Sequence, residues 1–101
     1  INDPIKQNEV LHFFSSHIFK DYENLVGYFE KGDKNLIENT AHRMKGSSLM
    51  VGANDLALIC EKIENRSREN DLQSARDEME RLKEAITRIQ KYCSKLELPK
   101  S

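Results

Sequence analysis

The distribution of proline is the feature that most limits how this chain can fold. Pro4 and Pro99 are its only prolines, so no proline interrupts a helix between them. Over that interval apolar residues recur at steps of three and four, which places their side chains on one face of an α-helix. No stretch alternates apolar and polar residues as a half-buried strand does. The sequence therefore predicts an all-α protein.

Turn signals divide the chain into helical segments. Glycine- and asparagine-containing turns lie around residues 31–33, 51–54 and 65–71. Asp33 is a residue type that caps helix N-termini, so it predicts where the second segment begins. Ser15 and Ser16 predict a break in the first segment, which would give a short extra N-terminal helix. The predicted segments cover residues 4–30, 33–50, 53–68 and 71–96.

Each segment carries one apolar stripe that needs a partner, which predicts an up-and-down antiparallel four-helix bundle. We expect one domain over residues 1–101. The last segment alternates in steps of four and three, as a coiled-coil seam does, so a homodimer is an alternative to a monomer. Because the other segments also need partners, we expect a monomer. The predicted core positions are Leu11, Phe14, Ile18, Tyr22, Leu25, Phe29, Ile37, Ala41, Met44, Ser48, Ala53, Leu56, Ala57, Cys60, Ile63, Ala75, Met79, Leu82, Ile86, Ile89, Cys93 and Leu96.

Composition argues against nucleic acid and membrane as partners. The formal net charge is -1, so no cationic excess is present to displace counterions from phosphates. No polybasic run and no apolar run of about 20 residues is present, and no signal peptide opens the chain. Cys60 and Cys93 lack CxxC spacing and fall on apolar faces, so we expect buried, reduced thiols and a cytoplasmic location.

The second segment, the motif helix over about 33–50, contains a glycine in its middle. Glycine inside a helix costs about 1 kcal/mol relative to alanine. His42 points away from the core stripe, and Lys45 and Gly46 adjoin it on the same face. A neutral imidazole is a nucleophile, and a neighbouring ammonium can pair with an anion attached to it. The missing side chain at Gly46 would let a bulky partner approach the ring.

These residues resemble the histidine-containing phosphotransfer (HPt) family. The family pattern is His, a variable residue, an apolar residue, Lys, Gly and small residues, with a second Gly six positions after the first. This chain has HRMKGSS at residues 42–48, followed by Gly52, Leu56 and the segment CEKIE at residues 60–64. The resemblance covers residues 9–96.

What the resemblance implies is a phosphorelay intermediate in two-component signal transduction. Such a domain accepts a phosphoryl group from the aspartyl phosphate of one receiver domain and passes it to another. His42 would be the nucleophile through Nε2, Lys45 would neutralise phosphoryl charge, and Gly46 would admit the receiver. Ser47 and Ser48 match the small polar positions and would help to orient the imidazole or phosphate, although core packing explains Ser48 equally well.

The resemblance also implies supporting residues on the next helix. Glu64 and Arg68 occupy positions where family members often carry polar groups, and a side chain there can accept the Nδ1 hydrogen and leave Nε2 free. A solvated charged face is the alternative explanation for both. The expected docking residues for a receiver are Arg43, Leu49 and whichever of Val10, Phe13 and Ile18 stay uncovered.

No cofactor is expected in this chain. It lacks a carboxylate cluster for Mg²⁺, which the resemblance places on the receiver partner. It also lacks a glycine-rich nucleotide loop, so we expect a phosphotransfer protein rather than an autokinase. Receivers of hybrid sensor kinases are among the expected partners, and this chain is either a free-standing shuttle or a domain of such a kinase.

Other functions fit the residues less well. In sensor-kinase dimerisation domains an acidic residue and soon a proline follow the histidine, whereas Arg43 follows here. A zinc site from His12, His17 and His42 is disfavoured, because His12 and His17 lie on different faces of one helix. A bundle that only binds other proteins remains the main alternative. The glycine at position 46, beside His42, argues against it.

Overall fold

The protein is built from helices joined by short turns in the computed structural model, which describes residues 3–96. No β-strand occurs within those residues. The last two helices together form the fourth arm of the bundle, so the predicted all-α, four-helix architecture is confirmed. The helices are α1 (Pro4–Lys31), α2 (Lys34–Met50), α3 (Asn54–Arg68), α4 (Leu72–Asp77) and α5 (Met79–Ser94).

Capping side chains and a left-handed glycine set the first helix boundaries. The Asp3 carboxylate accepts a hydrogen bond from the amide of Ile5 at 3.0 Å and so begins α1. Gly32 ends that helix with φ of 66°, a conformation that favours glycine. Asp33 then accepts a hydrogen bond from the amide of Leu36 at 3.1 Å, so the predicted N-cap of α2 is confirmed.

The first helix is continuous, so the predicted break at Ser15 and Ser16 and the short extra N-terminal helix are wrong. Ser15 faces the interior, and the neighbouring Phe14 and Ile18 are buried in the core. Burying an apolar side chain of this size stabilises by about 1.5–3 kcal/mol, which outweighs the weak helix preference of serine.

The last predicted helix is not one helix, because the structure divides it into α4 and α5 at Glu78. The Glu78 amide donates to the carbonyl of Ala75 at 3.1 Å, an i to i−3 bond that tightens the turn locally. Ala75 and Leu82 stay buried on either side of it. The apolar spacing therefore continues across the break, and neither glycine nor proline marks it in the sequence.

The core consists largely of the predicted stripes. Ile18, which was also a candidate for receiver docking, is only 1% exposed and belongs to the core instead. Some predicted positions lie at its margin and are half-buried, namely Leu11, Tyr22, Ala53, Met79, Ile89 and Leu96. No helix within residues 3–96 is long and apolar enough to cross a membrane.

Packing of α3 against α2 positions the side chains described below. Ala41 and Met44 of α2 are fully buried, which turns His42 outward on the same helix. Cys60 and Ile63 of α3 are also fully buried. The face of α3 that follows Ile63 therefore lies next to the outward face of α2.

Candidate functional site

His42 stands in the middle of α2 with 67% of its side chain exposed. Its Nδ1 lies 2.7 Å from Oε2 of Glu64 on α3. An ionised carboxylate can only accept hydrogen bonds, so this contact assigns the ring hydrogen to Nδ1. In the neutral ring Nε2 then carries a free electron pair, and no hydrogen bond within residues 3–96 engages that atom. The imidazole is thus oriented with its nucleophilic nitrogen toward solvent.

Glu64 is a buried carboxylate that joins the two helices. Its side chain is 4% exposed, and it accepts hydrogen bonds from His42, from Lys45 Nζ at 2.9 Å and from Arg68 Nη2 at 2.9 Å. Burial alone would raise the pKa of Glu64, but the hydrogen bonds from Lys45 and His42 bring that pKa below its usual value. The carboxylate is therefore ionised at neutral pH.

Lys45 lies one helical turn after His42, as the sequence predicted, but its ammonium already has a partner. Nζ donates to Oε1 of Glu64, and the side chain is 25% exposed at the rim of the site. The same carboxylate therefore holds the imidazole through one oxygen and the ammonium through the other. This arrangement places a cation beside the ring before any phosphoryl group is present.

Arg68 does not contact the imidazole in the described hydrogen bonds. A guanidinium has no acceptor, so it cannot take the Nδ1 hydrogen, and that predicted role belongs to Glu64 alone. Arg68 instead donates from Nη2 to Glu64 and from Nε to Glu38 Oε2 at 3.1 Å. It therefore bridges a carboxylate of α2 and a carboxylate of α3.

Gly46 occupies an exposed position on α2 beside this cluster. Among the described residues, no heavy atom outside its immediate helix neighbourhood lies within 4 Å of a Cβ added there. Its backbone is helical and has no positive φ, in contrast to Gly32 and Gly52. Neither crowding nor backbone conformation within residues 3–96 therefore requires glycine at this position.

An apolar groove opens between α1 and α2 on one side of the cluster. Val10 is 56% exposed, Phe13 67% and Met50 88%. At the end nearest His42, Arg43 pairs with Asp21 through Nη2 and Oδ1 at 2.6 Å. The groove has a volume of about 480 Å³ and is lined by Val10, Phe13, Phe14, His17, Asp21, Arg43, Ser47, Met50 and Val51.

Comparison with known families now identifies the relationship. The family model described as Hpt domain matches residues 9–92, which include the His42 cluster and most of the bundle. The chain belongs to the Hpt domain family. No curated protein and no solved structure gave a match. Hpt domains are phosphotransfer intermediates of phosphorelay signalling that interact with the receiver domains of response regulators, and they are not autokinases.

In this Hpt domain the side chains of the two serines after Gly46 form hydrogen bonds within α2. The hydroxyls of Ser47 and Ser48 donate to the carbonyl of Met44 at 3.1 and 2.7 Å, and Ser48 is fully buried. The described hydrogen bonds bring neither hydroxyl to the imidazole. Core packing therefore accounts for Ser48, while Ser47 reaches the edge of the α1–α2 groove.

The Hpt domain also divides the predicted docking residues between different surfaces. Leu49 is 56% exposed and borders a second groove, between α2 and α3, together with Leu58. His17 packs against Phe13 in the α1–α2 groove, with ring centroids 4.1 Å apart and ring planes inclined at 43°. Within residues 3–96, no group of at least three His, Cys, Asp or Glu side chains is placed to hold a metal ion.

Sequence reasoning missed several residues that contribute to these surfaces. Glu38 anchors Arg68, and Asp21 anchors Arg43. The signal for Glu38 was present, because it lies four positions before His42 and therefore on the same helix face. No local signal identifies Asp21, whose partner lies on another helix. In the sequence, nothing distinguishes Met50 and Leu58 from other apolar residues of amphipathic helices.

Proposed function

We propose that His42 of this Hpt domain accepts a phosphoryl group from the aspartyl phosphate of one receiver domain and passes it to the aspartate of another. The observation that carries this proposal is the imidazole itself, with Nδ1 held by a buried carboxylate and Nε2 directed to solvent. An ordinary exposed histidine needs no buried carboxylate to fix its ring in the form that leaves Nε2 free to attack.

The chemistry of the transfer accounts for the carboxylate. The Nε2 electron pair forms the N–P bond while the P–O bond to the aspartyl group breaks, and its electrons leave with the receiver's carboxylate. The Nδ1 hydrogen stays in place, so the ring becomes a cation as the bond forms. Glu64, ionised and 2.7 Å away, stabilises that positive charge. In the second transfer the electrons of the N–P bond return to Nε2.

Lys45 and Gly46 would provide charge neutralisation and access for the receiver. Phosphoryl transfer depends mainly on positioning and on neutralising charge. Lys45, beside the ring, provides a cation for the phosphoryl oxygens. Gly46 leaves space over the exposed face of α2 for the receiver's active site to approach Nε2. Mg²⁺ would be bound by the receiver, so the catalytic groups are divided between the two proteins.

The α1–α2 groove is the docking surface that we assign to the receiver. It combines exposed apolar side chains, Val10, Phe13 and Met50, with the charged pair of Arg43 and Asp21 next to His42. An apolar centre with a polar rim is the usual composition of a protein interface. Leu49, in the neighbouring groove, extends this surface on the other side of the histidine.

Transfer of radiolabelled phosphate from a panel of phosphorylated receiver domains tests this function. The wild-type chain is expected to acquire label that is acid-labile and alkali-stable, as phosphohistidine is. His42→Gln should acquire none. His12→Gln is the control, because His12 lies on α1 but does not line the α1–α2 groove, and this variant should still be labelled. Receivers that bind the chain without transferring label would reduce it to a binding module.

A further inference from the structure

We propose that Arg68 is a positioning residue that allows Lys45 to leave Glu64 and bind the phosphoryl group on His42. The proposal rests on the phosphoryl acceptor role of His42 given above and concerns how the site tolerates the added charge. Arg68 itself makes no hydrogen bond to His42 among the described residues. Its effect would pass through Glu64.

The starting point is that the ammonium of Lys45 is already occupied. Nζ donates to Glu64 at 2.9 Å, and only a quarter of the side chain is exposed. A phosphoryl group on Nε2 brings further negative charge to the exposed side of the ring. To neutralise that charge by direct contact, Lys45 must turn from the carboxylate toward the phosphoryl oxygens.

That movement has a cost, because Glu64 is almost completely buried. A buried carboxylate that loses its cation is strongly destabilised, since it has also lost its hydration. Here Arg68 donates to Oε2 of Glu64 at 2.9 Å, whereas Lys45 uses Oε1. The carboxylate would therefore keep the guanidinium as a partner, in addition to the imidazole Nδ1–H, when Lys45 departs.

The second carboxylate explains why Arg68 stays in place. Its Nε donates to Glu38 at 3.1 Å while Nη2 holds Glu64. A guanidinium can satisfy two acceptors at once in a fixed geometry, which the single ammonium of a lysine does less well. Glu38 and Glu64 lie on α2 and α3, so the arginine is anchored to both helices.

The phosphotransfer equilibrium with one receiver that labels the wild type provides the test. The measured quantity is the ratio of phosphohistidine to aspartyl phosphate among the unbound proteins, which docking affinity does not alter. Arg68→Met is compared with wild type, and the same change is made in a Lys45→Gln chain. Arg81→Met is the matched control, because Arg81 is similarly exposed and pairs with the buried Glu78 on its own helix turn.

Arg68→Met should lower the phosphohistidine ratio about tenfold when Lys45 is present and less than about twofold when it is absent, since the two effects are coupled. Arg81→Met should leave the ratio unchanged. An equal loss in both backgrounds would overturn the proposal, because it would show that Arg68 acts on the phosphoryl charge independently of Lys45. A wild-type chain that takes no phosphoryl group would instead remove the proposed function, and this inference with it.

A second readout follows Lys45 directly. The NMR signal of its side-chain nitrogen should shift when potassium phosphoramidate loads the wild-type chain. The shift should be smaller in Arg68→Met, where Lys45 stays with Glu64. Arg68→Lys should recover only part of the wild-type ratio of phosphohistidine to aspartyl phosphate, because a single ammonium replaces the guanidinium that binds both Glu38 and Glu64. A Lys45 signal that is identical before and after loading of the wild type would contradict the proposal.

Discussion

Gly46 weakens α2 at a point where nothing within residues 3–96 requires glycine. This is consistent with the proposal that the glycine serves the approach of a partner to His42. A side chain at position 46 would project from the exposed face of α2, next to the imidazole. We propose that a receiver domain occupies the space that the missing side chain leaves.

Gly46→Ala should therefore separate stability from function. The free energy of unfolding is expected to rise by up to about 1 kcal/mol, the difference in helix propensity. Phosphotransfer from a receiver should become slower, because the new methyl group obstructs the approach to Nε2. Urea unfolding and initial transfer rates measure the two effects.

Gly27→Ala is the matched control for this change. Gly27 also lies inside a helix, α1, and a Cβ there meets no described heavy atom within 4 Å outside its immediate helix neighbourhood. It should gain stability in the same way and transfer phosphate at the wild-type rate. If Gly46→Ala also transferred at the wild-type rate, the glycine would not serve partner access.

Residues of two helices, α2 and α3, hold the side chain of His42 in place. Glu38, His42 and Lys45 follow one another at steps of four and three on α2, so they form a polar stripe beside its core stripe. Glu64 and Arg68 stand one turn apart on α3 and face that stripe. A shift of one residue between the helices would break these contacts together, so the packing of α3 on α2 sets the orientation of the imidazole.

The ends of α1 and α2 that form the apolar groove lead to a prediction about binding. Phe13→Ala should weaken the affinity for a receiver by about tenfold, since exposed aromatic side chains often dominate interface energies. The free energy of unfolding should change by less than about 0.5 kcal/mol, because Phe13 is 67% exposed. Titration calorimetry with an unphosphorylated receiver measures the affinity.

Tyr92→Ala provides the comparison for Phe13→Ala. Tyr92 is 58% exposed, lies on α5 and does not line the groove. Its removal should leave receiver affinity unchanged. Equal losses from both substitutions, or none from Phe13→Ala, would contradict docking in the α1–α2 groove.

The two thiols of the bundle are both buried, but they lie at different distances from a helix end. Cys60 is fully buried beneath the histidine cluster, where burial, with smaller contributions from Asp21 and Glu64, raises the pKa of its thiol to about 12. Cys93 is also buried, but it lies one residue before the end of α5. Helix ends open locally more readily than the centre of a core.

N-ethylmaleimide under native conditions should therefore modify Cys93 at least about tenfold faster than Cys60. Fraying of the end of α5 is enough to expose Cys93, whereas Cys60 becomes exposed only when the whole bundle unfolds. Mass spectrometry of quenched samples gives both rates from one chain. In increasing urea, the Cys60 rate should follow the global free energy of unfolding, while the Cys93 rate should respond less. Equal rates at low urea would mean that the bundle opens at its centre as easily as at its end.

Local and periodic properties of the sequence determined the fold class, the helix boundaries within a few residues, and the family. They also identified His42 as an exposed residue with Lys45 and Gly46 beside it, because helix geometry relates residues three and four positions apart. These inferences need only the backbone period and the residue types. They did not reveal the interruption at Glu78, which neither glycine nor proline marks, or the continuity of α1, where burial of Phe14 and Ile18 outweighs local preference.

Only the tertiary structure decided how the histidine is held. The sequence offered Glu64 and Arg68 as equivalent candidates, but the packing of α3 on α2 buries the carboxylate against Nδ1 and places the guanidinium behind it. It also pairs Lys45 with Glu64, draws in Glu38 and removes Ile18 from the surface. Hydrogen bonds and burial between helices depend on distances across the bundle, which the spacing of residues along one helix does not contain.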